Sequence, residues 1–509
     1  MASISALVAS SAKLQHFADQ SSEEYDRQIR DLVTSLHRSL SSNALNFAAN
    51  DPTLLDVGSA SLWNRPENFD PATDAITYLF LLRLQIQTLQ ETSQEKLPAD
   101  LLPSRVLWTK CVHYLKKFNP IQVRYVGHEW RQLIELVAQA AQAASKPFLA
   151  TQLIKDAMLR LDPSCAVFTS THLLLVRLCL HAKAYTCILP VLNKHICHFP
   201  GISERFPPKG APVLCADHES SLAFITNNSG LSAPLGSRDL SRYFLYGGMV
   251  YLALKKWSEA SHFLELVMAI PTTGPVSMIM VEAYKKWVLV GLLETGKLRP
   301  PPSMIAPNVY KVYQSIARPY INLANTFELR DLNRLNAEID AARNVWSADN
   351  NSGLVAQVLD SFTVHSLVGI KSVFAALTVT ELSEQTSSLP RDTDLAESVI
   401  ASLIMSGSVS ATLVHTPGHS EGTMLRFPSA HPSSQLHELQ VQGRLARESN
   451  TLEALAASVK KSNNDIGLGD EFIDHMHKSK AWNSSGTDYS VAEDETRFDV
   501  DEDIMGDQI

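Results

Sequence analysis

The sequence lacks the short motifs that announce most enzymes. Its 509 residues contain no GxxxxGK followed by Ser or Thr, no GxGxxG after a strand and no HExxH. The phosphate cradles and zinc pairs built on those spacings are therefore excluded. Basic charge is scarce too: 44 Lys and Arg face 53 Asp and Glu, for a net charge of −9. After Lys480 nine acids stand against one base, Arg497, so this tail carries −8 and the remaining body −1. A nearly neutral body has no electrostatic footprint for a phosphate backbone, and nucleic acid is not expected as the main partner. The six cysteines stand at Cys111, Cys165, Cys179, Cys187, Cys197 and Cys215, with no two inside five residues of each other. The tight cysteine pair of most zinc sites is missing. Uninterrupted apolar runs stay short of the roughly 18–20 residues that span a bilayer. The opening MASISALVASSAKLQHF has neither a basic leader nor a continuous apolar block. The expectation is a soluble protein of the cytoplasm and nucleus, with reduced thiols and no membrane partner.

Helical patterning is what the chain has in abundance. Its length exceeds the roughly 250–300 residues beyond which one core stops growing, so several domains or a repeat array are expected. Hydrophobic residues make up 45% of the chain, enough to build them. Ile29, Leu32, Val33, Leu36 and Leu40 recur at helical spacing, as do Ile76, Leu79, Phe80 and Leu84. A Pro-, Asn- and Gly-containing patch over residues 50–71 separates the two patterns. Further helices are predicted at Leu102–Phe118, Val126–Ala144 and Phe148–Leu161, each bounded by Pro or Gly. β-branched alternation is nearly absent before residue 360. Helix after helix with short connections predicts an α-solenoid and not a compact bundle.

The stretch from Tyr243 to Leu298 carries the clearest repeat punctuation. Gly248, Tyr251, Ala260, Leu264 and Val267 fall at spacings that let two antiparallel helices pack closely, and Pro271 stops the second. Gly247 and Gly248 lie within a helical pattern and serve close helix approach. The segment His172–Pro200 reads as a degenerate copy. Placing Cys179 on Tyr251 also places Tyr185 on Trp257, Ile188 on Ala260 and Leu192 on Leu264, an offset of 72 residues. Half of that is close to the roughly 34 residues of a tetratricopeptide-like unit. Between the copies, Gly201–Asp239 is rich in Pro, Gly, Ser and Asn and reads as a long surface loop.

From about residue 352 the texture changes. Helices are predicted at Leu354–Leu359, Leu367–Phe374, Val379–Gln385 and Leu395–Met405. Ser408–Val414 and Thr423–Phe427 read as two strands around the turn HTPGHSEG. Helices followed by a two-stranded hairpin make a winged helix, and a terminal helix follows at about Ser434–Val459. The helix that would enter a DNA groove, DTDLAESVIASLIMSG, has no Lys or Arg. From Ser372 to Pro428 only Arg391 and Arg426 face six acids. Phosphate contacts cannot be built from that balance, so this winged helix is expected to contact protein.

Other residues invite chemistry without supporting it. Cys179, His181, Cys187, His195, Cys197, His198, Cys215 and His218 cluster in sequence, but the cysteines at 179, 187 and 197 read as small hydrophobes on helix faces. His415 and His419 frame the wing turn with no carboxylate or thiol at ligand spacing and read as a solvated loop. Tyr243, Tyr246, Tyr251, Trp257, Tyr284 and Trp287 read as repeat core. The motif KKW occurs at Lys255–Trp257 and Lys285–Trp287, and its lysines read as solvated helix faces. Ser490, three residues before Glu493, stands in a setting that suits acidophilic kinases.

The order of helical repeats, winged helix and terminal helix resembles the PCI family, which serves the proteasome lid, the signalosome and a translation initiation factor. The specific carriers are YGGM at Tyr246–Met249, EAYKK at Glu282–Lys286, DNNSGLV at Asp349–Val355 and LCLHAKAYTCILPVL at Leu178–Leu192. They are most similar to the signalosome branch. The resemblance implies a non-catalytic scaffold whose winged helix joins neighbours edge to edge in an arc and whose terminal helix enters a bundle. It implies a complex that removes the ubiquitin-like modifier Nedd8 from cullin–RING ubiquitin ligases, with the zinc isopeptidase on a different subunit. The implied arc neighbours are signalosome subunits 1 and 8, with cullin–RING ligases reached indirectly. A scaffold of the proteasome lid, an initiation factor or an mRNA-export complex is the alternative. No catalytic, cofactor-binding or metal-binding residue is implied, and no cofactor. The expected plan is mostly α: N-terminal helical repeats over 1–170; tetratricopeptide-like repeats over 171–350 with a loop at 201–239; a winged helix over 351–430 completing the PCI domain; a bundle helix at 431–465; and a disordered acidic tail at 466–509.

Overall fold

A computed structural model of the chain describes residues 22–50, 71–93, 97–199, 221, 224–270, 276–415, 423–427 and 435–467. The acidic tail from residue 468, Ser490, Cys215, His218, His419 and the loop residues 200–220 lie outside the described residues. The chain divides into two units, the first ending at Phe427 and the second beginning at Pro428.

The first unit is a succession of helices. It opens with α1 (Ser22–Asn50), α2 (Ala75–Ser93), α3 (Val106–Lys117), α4 (Gly127–Ala143), α5 (Pro147–Leu161) and α6 (Ser170–Ala182). It continues through α7 (Ser237–Ala253), α8 (Trp257–Ala269), α9 (Met278–Thr295), α10 (Pro307–Ile316), α11 (Arg318–Glu328), α12 (Leu332–Ala341) and α13 (Arg343–Ala348). Each helix packs mainly on its neighbours in sequence: α4 on α5, α5 on α6, α7 on α8 and α8 on α9. That adjacency is the solenoid the periodicity predicted. One apolar core runs through it without a break from Tyr25 to Phe362.

The turns show why the repeat is regular. Ser145, Lys183, Lys255 and Asn350 all take left-handed backbone, with φ of 56°, 53°, 55° and 54°. In each case the next residue's N–H reaches back five positions: Lys146 to Ala141, Ala184 to Cys179, Lys256 to Tyr251 and Asn351 to Trp346. This is the Schellman closure of a helix C-terminus, made with residues other than glycine. Lys183 and Lys255 stand at the 72-residue offset read from the sequence. Gly247 and Gly248 do serve close approach. A Cβ at 247 would lie 2.7 Å from the Phe263 ring, and one at 248 would lie 3.2 Å from Leu264.

The predicted loop at 201–239 needs correction where it is described. Phe224, Ile225 and Leu231 are buried in the core, and α7 already begins at Ser237. A Cβ on Gly127 would lie 2.4 Å from the Ser229 carbonyl, so this segment lies tight against the start of α4. Polar composition concealed three apolar anchors.

The end of the first unit is a winged helix. Helix α14 (Ser352–Lys371) leads into β1 (Ala376–Thr378), α15 (Val379–Gln385), α16 (Thr393–Met405), β2 (Thr412–Val414) and β3 (Met424–Arg426). Two corrections arise. First, α14 is one helix where two were expected. The interrupting Ser361 and Ser366 bond back to the carbonyls of Val358 and Phe362 and do not break the turn. Second, the sheet has three strands in the order β1-β3-β2, all antiparallel. Three residues of strand at β1 carry too little period-2 pattern to be seen without their partner. A second core gathers Leu367, Leu377, Leu382, Ala396, Ile400 and Leu425. Helix α14 belongs to both cores, with Val355, Val358 and Phe362 in the first and Leu367 in the second. By length and composition alone α14 is apolar enough to cross a membrane; here it is the shared wall of two packed modules.

The second unit is described as one helix, α17 (Gln435–Gly467), which extends two residues past the expected end at 465.

Candidate assembly surfaces

The two sequence motifs EAYKK and DNNSGLV meet in space. Lys285 Nζ lies 2.6 Å from Asp349 Oδ1, and Lys286 Nζ donates to Asn351 Oδ1 at 2.8 Å. Lys286 also pairs with Glu282 one turn earlier on α9. Tyr320 of α11 closes the network: its hydroxyl donates to Asp349 Oδ2 and accepts from Asn351 Nδ2, both at 2.8 Å. Burial pushes the Tyr320 hydroxyl far above its ordinary range, so it stays protonated and available to donate. Trp346 packs edge-on against the Tyr320 ring at 4.8 Å. The joint ties α9 and α11 to the start of α14, the helix that carries the winged helix.

This corrects the reading of the second KKW. Lys286 is 6% exposed and Trp287 is 1% exposed, whereas Lys255 in the first KKW is exposed. The signal was legible in principle. Helix α9 reads MIMVEAYKKWVLVGLL, apolar on every side, and a charge inside such a helix must find a partner. Trp287 Nε1 likewise finds Glu265 at 2.9 Å. Its aromatic neighbours Tyr243, Tyr251 and Tyr284 are buried as expected, while Tyr246 and Trp257 are only half-buried.

The winged helix presents a base-free apolar face. Along α16, Ala396 and Ile400 point into the core. Leu395, Val399 and Met405 are exposed, by 56, 36 and 87%. Ser398 and Ser402 lie between them and bond back to their own helix. In the sheet β3 is central, so among the described residues β1 and β2 are edges that pair with no further strand. Val414 and Met424 pair across β2 and β3 and are both exposed. An apolar helix face beside two open strand edges is a docking surface in chemical terms. His415 is exposed, as its reading as a solvated residue expected. Glu397 of α16 lies 4.0 Å from its Nδ1, and Thr423 Oγ1 lies 2.6 Å from the same atom. Thr423 donates to Glu397 at 2.8 Å, so these contacts fasten the wing to the helix.

The cysteines divide by burial. Cys111, Cys165 and Cys179 are buried, and burial pushes each thiol up to about 12. Cys197 is exposed and sits on an extended segment whose N–H bonds Ala166, not on a helix face as expected. Among the described residues no group of three or more His, Cys, Asp or Glu is placed to hold a metal.

Helix α17 has its own pattern. Val441, Leu445, Leu452 and Val459 are exposed by 45, 60, 66 and 58%, and Leu455 falls between them. Spacings of four, seven and seven put them on one seam. Arg444 and Glu448 pair beside it at 3.0 Å.

Stacked helical hairpins that end in a winged helix with open edges and no basic face define a repeat protein of the kind that contacts other proteins. Residues 26–309 match the family described as COP9 signalosome complex subunit 3, N-terminal helical repeats. The COP9 signalosome complex subunit 3 of Emericella nidulans is 40% identical over 486 residues, covering 95% of both chains. The subunit of that name from Neurospora crassa is 25% identical, with 81% of this chain and 82% of that one aligned. The Dictyostelium discoideum subunit is 23% identical over 73% of this chain and 80% of its own. The chain belongs to the COP9 signalosome complex subunit 3 family.

Proposed function

We propose that this protein is a non-catalytic scaffold of the signalosome, acting in the cytoplasm and nucleus. It holds neighbouring subunits through the α16 face and strand edges of its winged helix, which completes a PCI domain, and through the α17 seam. Its neighbours along the arc are subunits 1 and 8. The assembled complex removes Nedd8 from cullin–RING ligases, which this chain meets only through the complex. The observation that carries the reading is the 40% identity over 95% of both chains to a signalosome subunit 3. The base-free docking face supports it, because apolar side chains beside free strand edges suit protein and not phosphate. Affinity purification of the tagged chain from its own cells tests it. Recovery of the other signalosome subunits is expected, and recovery of a monomer alone, or of proteasome-lid or ribosomal proteins, overturns it.

A further inference from the structure

A small pocket lies where α4, α5 and α6 meet the 224–231 segment. Met158, Ile225 and Leu231 give it apolar walls, and three polar side chains turn into it: Trp130 of α4, Asp162 at the end of α5 and His172 of α6. All three are more than nine-tenths buried, at 2, 7 and 3% exposure. One atom of each, Trp130 Nε1, Asp162 Oδ2 and His172 Nε2, is buried and meets no hydrogen-bonding partner among the described residues. Three such atoms in one pocket are unusual, because a buried donor or acceptor left unpaired keeps its full desolvation cost.

Their hydrogen-bonding roles can be assigned. The Thr169 N–H donates to His172 Nδ1 at 3.2 Å, and the Thr169 hydroxyl lies 2.8 Å from the same nitrogen. Nδ1 is therefore an acceptor, and the ring proton sits on Nε2. Indole Nε1 is a donor only. Asp162 spends its other oxygen, Oδ1, on the Ser164 N–H and hydroxyl, at 2.9 and 2.6 Å. The pocket thus shows two donors and one carboxyl oxygen as acceptor. A cation is excluded by the two N–H groups and an anion by the carboxylate. The volume open to the centre of a water-sized sphere is about 20 Å³, against the roughly 10–15 Å³ that one water needs. That is room for one water.

We propose that Trp130, Asp162 and His172 form a binding site for a single structural water. The water accepts from Trp130 Nε1–H and His172 Nε2–H with its two lone pairs and donates one proton to Asp162 Oδ2. All three partners are satisfied at once, and the water joins three consecutive helices of the solenoid.

A crystal structure of the full chain or its complex, at a resolution that orders solvent, tests the proposal. A peak within about 2.7–3.2 Å of all three atoms is expected. A dry pocket overturns it, and so does an Asp162 carboxylate turned to bond Trp130 or His172 directly. An independent solution test uses tryptophan-labelled full chain. The indole N–H resonance lost in Trp130→Phe should show a long-lived cross-peak to water in the native chain. Absence of that cross-peak counts against the site, and the crystal measurement decides the matter if Trp130→Phe fails to fold.

Discussion

Lys286 and Asn351 stand 65 residues apart in sequence and meet at 2.8 Å in the core between α9 and α14, at 6 and 0% exposure. Their contact sets where the winged helix begins, because Asn351 directly precedes α14 and its N–H also closes the turn from α13. One residue closes the turn with its backbone N–H and links the helices with its side chain.

Removing it should therefore do more than lose one bond. Asn351→Leu takes one acceptor from Lys286 and the donor to the Tyr320 hydroxyl, leaving Lys286 with Glu282 alone and Tyr320 with Asp349 alone. A loss of about 2–4 kcal/mol is expected. Lys286→Met removes the charge with little change of volume and should cost less. In a double-mutant cycle by chemical denaturation the two should couple by more than about 1 kcal/mol. Additive effects would show that the contact contributes no coupling.

The helix approach at Gly247 gives a second prediction. A side chain there meets the Phe263 ring at 2.7 Å and Leu192 at 3.2 Å, so Gly247→Val must move α7 off α8. Overpacking of this kind costs about 1–3 kcal/mol. Adding Phe263→Ala should recover part of the loss in thermal unfolding, since it vacates the space the new Cβ needs.

These cases show what could be read from the chain alone. Gly248, Tyr251, Ala260, Leu264 and Val267 were legible as packing positions because helical period is a local property, and all five are buried. The 72-residue offset was legible because Lys183 and Lys255 close the same turn. The apolar face of α16 was visible as a lack of Lys and Arg. Strand β1 was not, because Leu377 becomes a strand residue only by pairing with Leu425 of β3. The lysine–asparagine joint was not, because a polar side chain in sequence carries no mark of its distant partner. The water site was hidden for the same reason: Trp130, Asp162 and His172 come from three helices.

His172 makes stability depend on pH in a definite direction. Burial lowers its pKa from 6.5 to about 4, against a smaller upward pull from Asp162. The unfolded chain takes up this proton below pH 6.5, whereas the folded chain resists it down to about 4. Stability is therefore fully present above 6.5 and falls as pH drops through that window, by about 2 kcal/mol at pH 5. Denaturation at pH 7 and pH 5 measures the loss, and His172→Gln should reduce it. An unchanged pH slope in that variant would assign the effect elsewhere.

The α16 face should separate folding from assembly. Leu395, Val399 and Met405 are exposed, so Leu395→Glu with Met405→Glu should change stability by less than about 0.5 kcal/mol. The same variant should lose co-purifying signalosome subunits. Retained partners with unchanged yield would exclude this face as a contact.

The α17 seam makes the last and most separable prediction. Val441, Leu445, Leu452, Leu455 and Val459 share one side of a helix that belongs to the second unit. Exposed leucines on a seam gain nothing in water, where each leaves apolar area unburied; against partner helices each contributes about 1.5–3 kcal/mol. Leu445→Glu with Leu452→Glu should leave thermal unfolding of the first unit unchanged, because its cores end at Phe362 and Phe427. Recovery of other signalosome subunits should fall at least tenfold, since about 1.4 kcal/mol already accounts for that factor. Asn450→Glu with Ala457→Glu adds the same charge on the opposite side of the helix and should leave recovery intact. If both variants lose partners equally, charge and not the seam is responsible. If neither does, α17 is not an assembly surface, and the α16 face remains as the one to test.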